Sequence, residues 1–155
     1  MSESKNYMDL LRDRGLKNTR HRVRILEILE TGSQPLVVDD IYSELKDQDV
    51  SMSLSTVYRT LEALTEKQIV NKVALENDPR VFYEFNRMTH HHFLICIGCN
   101  KIITVNECPI HEYEAAVAKQ KHFLVIGHKL ELYGYCPECQ KQKQHAPYHH
   151  DDHHD

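Results

Sequence analysis

The sequence predicts an α+β protein in two parts, and three observations predict it. Apolar residues recur at helical spacing through the first half, short strand-like runs follow, and the metal-binding residue types are confined to one end. Residues 1–87 hold no cysteine and one histidine, His21, whereas residues 88–155 hold all five cysteines and the other eleven of twelve histidines. A composition break of this kind marks a domain boundary, expected near residues 86–89. The expected division is a helical unit closed by a hairpin over 1–87, a small α+β unit over 88–140, and a tail over 141–155. The tail ends HHDDHHD and is too polar to pack, so disorder is expected there.

In the first part, Thr19 can cap a helix carrying Val23, Leu26 and Leu29 on one side. Gly32 and Pro35 interrupt it. Asp39 and Asp40 suit the first turn of a second helix, where carboxylates meet the positive end of the helix dipole, with Ile41 and Leu45 inward. Ser53 is a cap for a third helix, along which Leu54, Val57, Leu61 and Leu64 keep helical spacing. IVNKVAL and VFYEF then flank a turn, ENDP, as a β-hairpin. Three helices and a hairpin make a winged helix-turn-helix. In the second part FLICIGC and KIITVN read as strands, residues 109–121 as a helix, and LVIGHKLELYGYC as one long strand.

At 155 residues with 41% hydrophobic content, the chain can build packed cores and is not a disordered protein. No apolar run reaches the ~18 residues of a membrane span, and MSESKNYMDLL lacks the basic start and apolar stretch of an export signal. A cytoplasmic protein with no membrane contact is expected. The net charge of −4 counts against indiscriminate nucleic-acid binding. Yet Arg12, Arg14, Lys17, Arg20, Arg22 and Arg24 lie within thirteen residues against one acid, Asp13, and local clustering sets the field that a phosphate meets. On the third helix, Ser55, Thr56, Tyr58 and Arg59 face outward, as a major-groove helix presents hydroxyls and a guanidinium to base edges and phosphates. Lys17 and Arg20 could reach backbone phosphates or a minor groove. A plain amphipathic helix with a solvated face accounts for the same periodicity.

Four of the five cysteines form two pairs, Cys96-x-x-Cys99 and Cys136-x-x-Cys139, separated by 36 residues. Without an export signal such pairs indicate metal ligation rather than disulfides. Two residues between thiolates let both reach one ion, and two pairs close a tetrahedral Zn²⁺ shell with no position for water, so the site is structural. Directly before the first pair stand His90, His91 and His92. In an extended chain His90 and His92 share a face. His111 or Glu112 and the later His128 could complete a mixed nitrogen–oxygen shell, with Glu84, His91 and Cys108 as further candidates. Such donors suit Zn²⁺ or Fe²⁺, among other divalent ions. Histidines beside the domain junction could tie domain orientation to metal occupancy.

With these residues in hand the chain resembles the ferric uptake regulator family over nearly its whole length, through GLKNTRHRVRILEIL, SLSTVYRTLEAL, HHHFLICIGCNK and GHKLELYGYCPEC. The resemblance implies a winged-helix DNA-binding domain, a C-terminal dimerisation domain, structural zinc on the four paired cysteines, and metal-dependent repression from double-stranded operator DNA as a homodimer. It implies that Tyr58 and Arg59 lie in the recognition helix, that Lys17 serves the minor groove, and that His90, His92 and His128 are metal ligands. The helix ligand, normally a carboxylate, falls at His111 with Glu112 adjacent.

Two departures bear on the metal. Gln34 and Phe93 stand where iron and peroxide sensors of the family often have histidines, which leaves Glu84 and His91 of that site. Cys108-Pro109 resembles the zinc uptake regulator branch. The expectation is therefore a zinc sensor controlling metal-uptake genes, with an iron sensor or a peroxide-responsive regulator as alternatives. Outside the family, a redox-switched zinc protein or a metal-storage protein would use the same cysteines and tail. An enzyme with a small-molecule substrate is not expected, because a zinc deaminase pairs H-x-E with P-C-x-x-C, whereas this chain has Cys-Pro-Glu-Cys and adjacent His111 and Glu112.

Overall fold

The structure, a computed structural model, describes residues 2–142. The described chain divides into two compact units, the residues up to His91 with Asn106–Cys108, and His92–Val105 with the described residues from Pro109 to Gln142.

The first unit is built from α1 (Ser2–Asp13), α2 (Arg20–Thr31), β1 (Leu36–Val37), α3 (Val38–Asp47), α4 (Leu54–Glu66), β2 (Val70–Leu75) and β3 (Asp78–Phe85). Thr19 caps α2 by accepting from the Arg22 N–H, and Ser53 caps α4 by accepting from the Thr56 N–H at 3.2 Å. Asp39 and Asp40 occupy the first turn of α3. The apolar stripes meet in one core, where Leu11, Ile25, Leu26, Ile41, Leu45, Leu61 and Leu64 are fully buried. Each such side chain contributes about 1.5–3 kcal/mol by leaving water. The sheet has the order β1-β3-β2, antiparallel throughout.

Two elements here are not foreseen in the sequence, α1 and β1. α1 reaches the core through Tyr7 and Leu11, four residues apart and so on one helix face. The hairpin turn is also tighter than ENDP implies. It consists of Glu76 and Asn77 alone, and Asp78 already pairs with Leu75. Because Ala74 pairs with Val81, Pro79 and Arg80 form a bulge, which is where a strand tolerates a residue without an N–H.

The second unit contains β4 (His92–Cys96), β5 (Ile102–Val105), α5 (His111–Lys121), β6 (Glu131–Gly134) and α6 (Pro137–Gln142). β4 is central, antiparallel to β5 and parallel to β6. The long strand expected over 124–136 is confined to residues 131–134, because β4 offers register partners only from Phe93 to Cys96. α6 is likewise unforeseen and runs to Gln142, two residues into the segment expected as a tail. The remaining tail residues, 143–155, lie outside the described residues. The core of this unit is small. Among its described residues only His92, Phe93, Ile95, Cys96 and Ile102 are buried, and α5 buries none.

Candidate metal centres and nucleic-acid interface

The four paired cysteines converge. The Sγ atoms of Cys96, Cys99, Cys136 and Cys139 all lie within 4.8 Å of one another. Cys96 ends β4, and Cys136 directly precedes α6. The first pair is folded back by a tight turn in which the Asn100 N–H donates to the Cys96 carbonyl at 2.8 Å, with Asn100 in the left-handed region at φ 63°. Asparagine tolerates that conformation better than most residues. Gly98 packs against the second pair, so closely that a Cβ there would stand 2.9 Å from Cys139 Sγ.

The thiols are electrostatically unequal. Backbone N–H groups of Cys136 and Cys99 hold the Cys96 thiol down to about 6, while hydrogen bonding with the thiols of Cys136 and Cys96 pushes Cys139 up to about 12. The spacing fits zinc: bonds of about 2.3 Å in a tetrahedron put sulfurs about 3.8 Å apart, and Cys99 Sγ and Cys136 Sγ are 3.8 Å apart.

A second group of donors lies in the same unit. His128 Nε2 is 3.3 Å from His92 Nε2, with the two rings stacked at 5.0 Å between centroids. Tetrahedral zinc bound to imidazoles at about 2.0–2.1 Å sets its nitrogens about 3.3–3.4 Å apart, so this pair fits the ion too. The other nitrogen of His128, Nδ1, is hydrogen-bonded to Glu114 Oε2. His92 is buried, and His128 and Glu114 are largely covered. His111 and Glu112, the helix candidates read from the sequence, are exposed in the first turn of α5 and are not among the donors that lie within 4.8 Å of one another around this pair. Glu114, which the sequence reading passed over, is the α5 carboxylate that meets a histidine.

The remaining candidates lie in the first unit. A donor nitrogen of His90 and Cys108 Sγ lie within 4.8 Å of each other. His91 Nε2 meets both carboxylate oxygens of Glu84, at 2.9 and 3.2 Å, while its Nδ1 meets the Thr89 carbonyl at 3.1 Å. Glu84 is buried.

The nucleic-acid candidates also lie in the first unit. Ser55, Tyr58 and Arg59 are exposed on α4 and Thr56 is half-buried. Thr56 shares a 2.8 Å hydrogen bond with the capping Ser53, and Arg59 Nε donates to the Ser55 carbonyl at 3.4 Å, so the start of the helix is held in order. The basic run is divided in use. Arg14 donates to the Lys67 carbonyl, Arg22 to the Lys17 carbonyl and Arg24 to Glu27, all structural ties. Arg12, Lys17 and Arg20 are exposed. The sequence shows the run but not this division, because it depends on which carbonyls the folded backbone presents.

Residues 13–133 match the model of the ferric uptake regulator family. The ferric uptake regulation protein of Campylobacter jejuni is 33% identical over 139 residues, covering 88% of each chain. The peroxide operon regulator of Bacillus subtilis is 33% identical over 143 residues, 92% of this chain and 97% of that protein. Among solved structures, the ferric uptake regulator of Helicobacter pylori, described with three functional metal-binding sites, superposes with a TM-score of 0.74 at 27% identity, over 90% of this chain and 92% of that one. A match that spans both units, joined to relatives a third identical over nearly their full length, assigns the chain: it belongs to the ferric uptake regulator family.

Proposed function

We propose that the chain is a zinc-responsive transcriptional repressor, a homodimer that binds operator DNA when its sensing site is loaded and so controls metal-uptake genes. The relatives include ferric uptake and peroxide regulators, so metal-responsive control is common ground and the choice of zinc is the finer step. The observation that carries it is the His92–His128 pair, whose nitrogens are spaced for a tetrahedral ion in the same unit as four converging thiols. Cys96, Cys99, Cys136 and Cys139 would hold a structural Zn²⁺, whose binding supplies folding energy to a unit with little apolar core.

The sensed ion would be held by His92 and His128. His90, two residues before His92 in the chain, and Cys108, three residues before α5, are the proposed further donors. A thiolate beside imidazoles favours zinc over the harder iron(II) ion. Lys17, Arg20, Ser55, Thr56, Tyr58 and Arg59 would meet the duplex, the helix residues reading base edges and the two basic residues fixing the backbone.

Dimerisation has its own support. Phe123, Leu124 and Ile126 are 73%, 90% and 95% exposed, in a segment that precedes the edge strand β6 in the chain and whose sequence alternates like a strand. A second copy offering the same segment would cover them and extend the sheet, as self-complementary two-fold interfaces do.

A second reading is favoured by Glu84 and His91, whose half-buried pairing offers an oxygen–nitrogen donor set suited to Fe²⁺. Titration of operator DNA with the purified dimer, in the metal-free-sensor state and with Zn²⁺ or Fe²⁺, separates the two. Zinc is expected to tighten binding at least tenfold more than iron does. Equal affinity with and without either metal would remove the sensor, and a response to iron alone would transfer the role to the Glu84–His91 pair.

A further inference from the structure

We infer that Glu114 is the positioning residue of the His92–His128 pair: its carboxylate keeps the proton of His128 on Nδ1 and so presents Nε2 as the ligand atom for the sensed ion. The inference rests on the assignment of that pair to the sensed ion.

A neutral imidazole carries one proton on either nitrogen, and only the other nitrogen can bind a cation. An ionised carboxylate only accepts hydrogen bonds, so Glu114 Oε2 against Nδ1 fixes the Nδ1–H form. The Nε2 lone pair then faces His92 Nε2 across 3.3 Å. In the metal-free chain a neutral His92 can donate its Nε2 proton across that gap; when a cation takes the Nε2 lone pair of His128, that ring keeps its one proton on Nδ1 and stays neutral. A carboxylate behind a ligating imidazole both orients the ring and raises its basicity.

Glu114 is suited to this by its place. It stands in the first turn of α5, where its own N–H donates to the Ile110 carbonyl at 2.8 Å, so the carboxylate is carried by an ordered helix. The other acidic residue of that turn, Glu112, is exposed.

The test uses the full-length chain with its cysteine-bound zinc in place. Zinc affinity of the sensing site is measured by chelator competition in the wild type, Glu114→Ala, Glu114→Gln, Glu112→Gln and His128→Ala, with nitrogen NMR of the His128 ring in the loaded proteins. Glu114→Ala is expected to weaken binding about 10–100-fold. Glu114→Gln is expected to recover part of the loss, because its amide oxygen can still accept from Nδ1–H, and to keep the Nδ1-protonated signature. Glu112→Gln should match the wild type. Retention of one tight zinc per chain in every variant, by elemental analysis, shows that the fold survives.

If Glu114→Ala stays within about twofold of the wild type while His128→Ala loses binding, the role of Glu114 is overturned alone. If Glu114→Gln loses as much as His128→Ala, Glu114 is itself a ligand and the positioning role is again overturned. If His128→Ala binds as the wild type does, the assignment of the pair falls, and Glu114 with it.

Discussion

Gly98 illustrates how much depends on one side chain, or on the lack of one. A methyl group there would stand 2.9 Å from Cys139 Sγ and 3.2 Å from its Cβ, and neither atom can retreat while its sulfur holds an ion. Overpacking of this kind costs about 1–3 kcal/mol, or about 5- to 150-fold in an equilibrium constant. Gly98→Ala is therefore expected to weaken binding of the zinc proposed for the four cysteines by a factor in that range, read from chelator competition. A loss below twofold would mean that the knot relaxes around the methyl. At this scale the cysteines were legible in the sequence because their geometry is local: two residues between thiolates already imply a shared ion. Glu114 was not. His111, Glu112 and Glu114 crowd one turn of a helix that buries nothing, so no apolar stripe tells a reader which of them turns inward.

Among the elements, α4 carries four of the residues proposed to meet the duplex, and its first turn depends on Ser53. The Ser53 hydroxyl accepts the Thr56 N–H at 3.2 Å and shares a hydrogen bond with the Thr56 hydroxyl. Ser53→Ala should cost about 1 kcal/mol, lowering the melting temperature of the first unit by about 4–8 °C. Ser53→Asp should retain most of the stability, since aspartate caps as well as serine. Thermal unfolding of the zinc-loaded chain checks both, and an unchanged melting point in Ser53→Ala would show that the cap carries no weight. α2, α3 and α4 were legible because each repeats an apolar residue every three or four positions and starts at a recognisable cap or acidic turn. α1 was not, since Tyr7 and Leu11 are its only buried side chains among those described, too few to make a period. The strand expected from Leu124 onward shows the opposite failure. Its alternation is present in the sequence, but a strand also needs a neighbour, and β4 supplies one only for residues 131–134.

For the whole molecule, that unfinished strand becomes a statement about assembly. A polar substitution at Leu124 and Ile126 removes apolar surface that the single chain does not cover, so it should leave each chain folded. Leu124→Glu with Ile126→Glu is expected to shift the protein from dimer to monomer in analytical ultracentrifugation and to weaken operator binding by at least tenfold, with the cysteine-bound zinc retained. A dimer of undiminished stability would place the interface elsewhere. Composition changes near residues 86–89, where cysteine and histidine begin to cluster, while the compact units divide between His91 and His92. The seam itself is less tidy than composition suggests, for residues 106–108 cluster with the first unit although they follow β5 in the chain. Long-range packing of this kind leaves no local trace in sequence.

β4 begins at His92 and ends at Cys96. One pleated segment, about 13 Å from end to end at ~3.3 Å per residue, thus serves as a rigid spacer between the imidazole pair and the thiol knot. Adding or deleting a single residue within it would reverse the facing of everything on one side of the change and misdirect one centre or the other. Metal preference can therefore be retuned by exchanging a donor in place or by donors brought in from other segments, while the stretch from His92 to Cys96 has to keep its length.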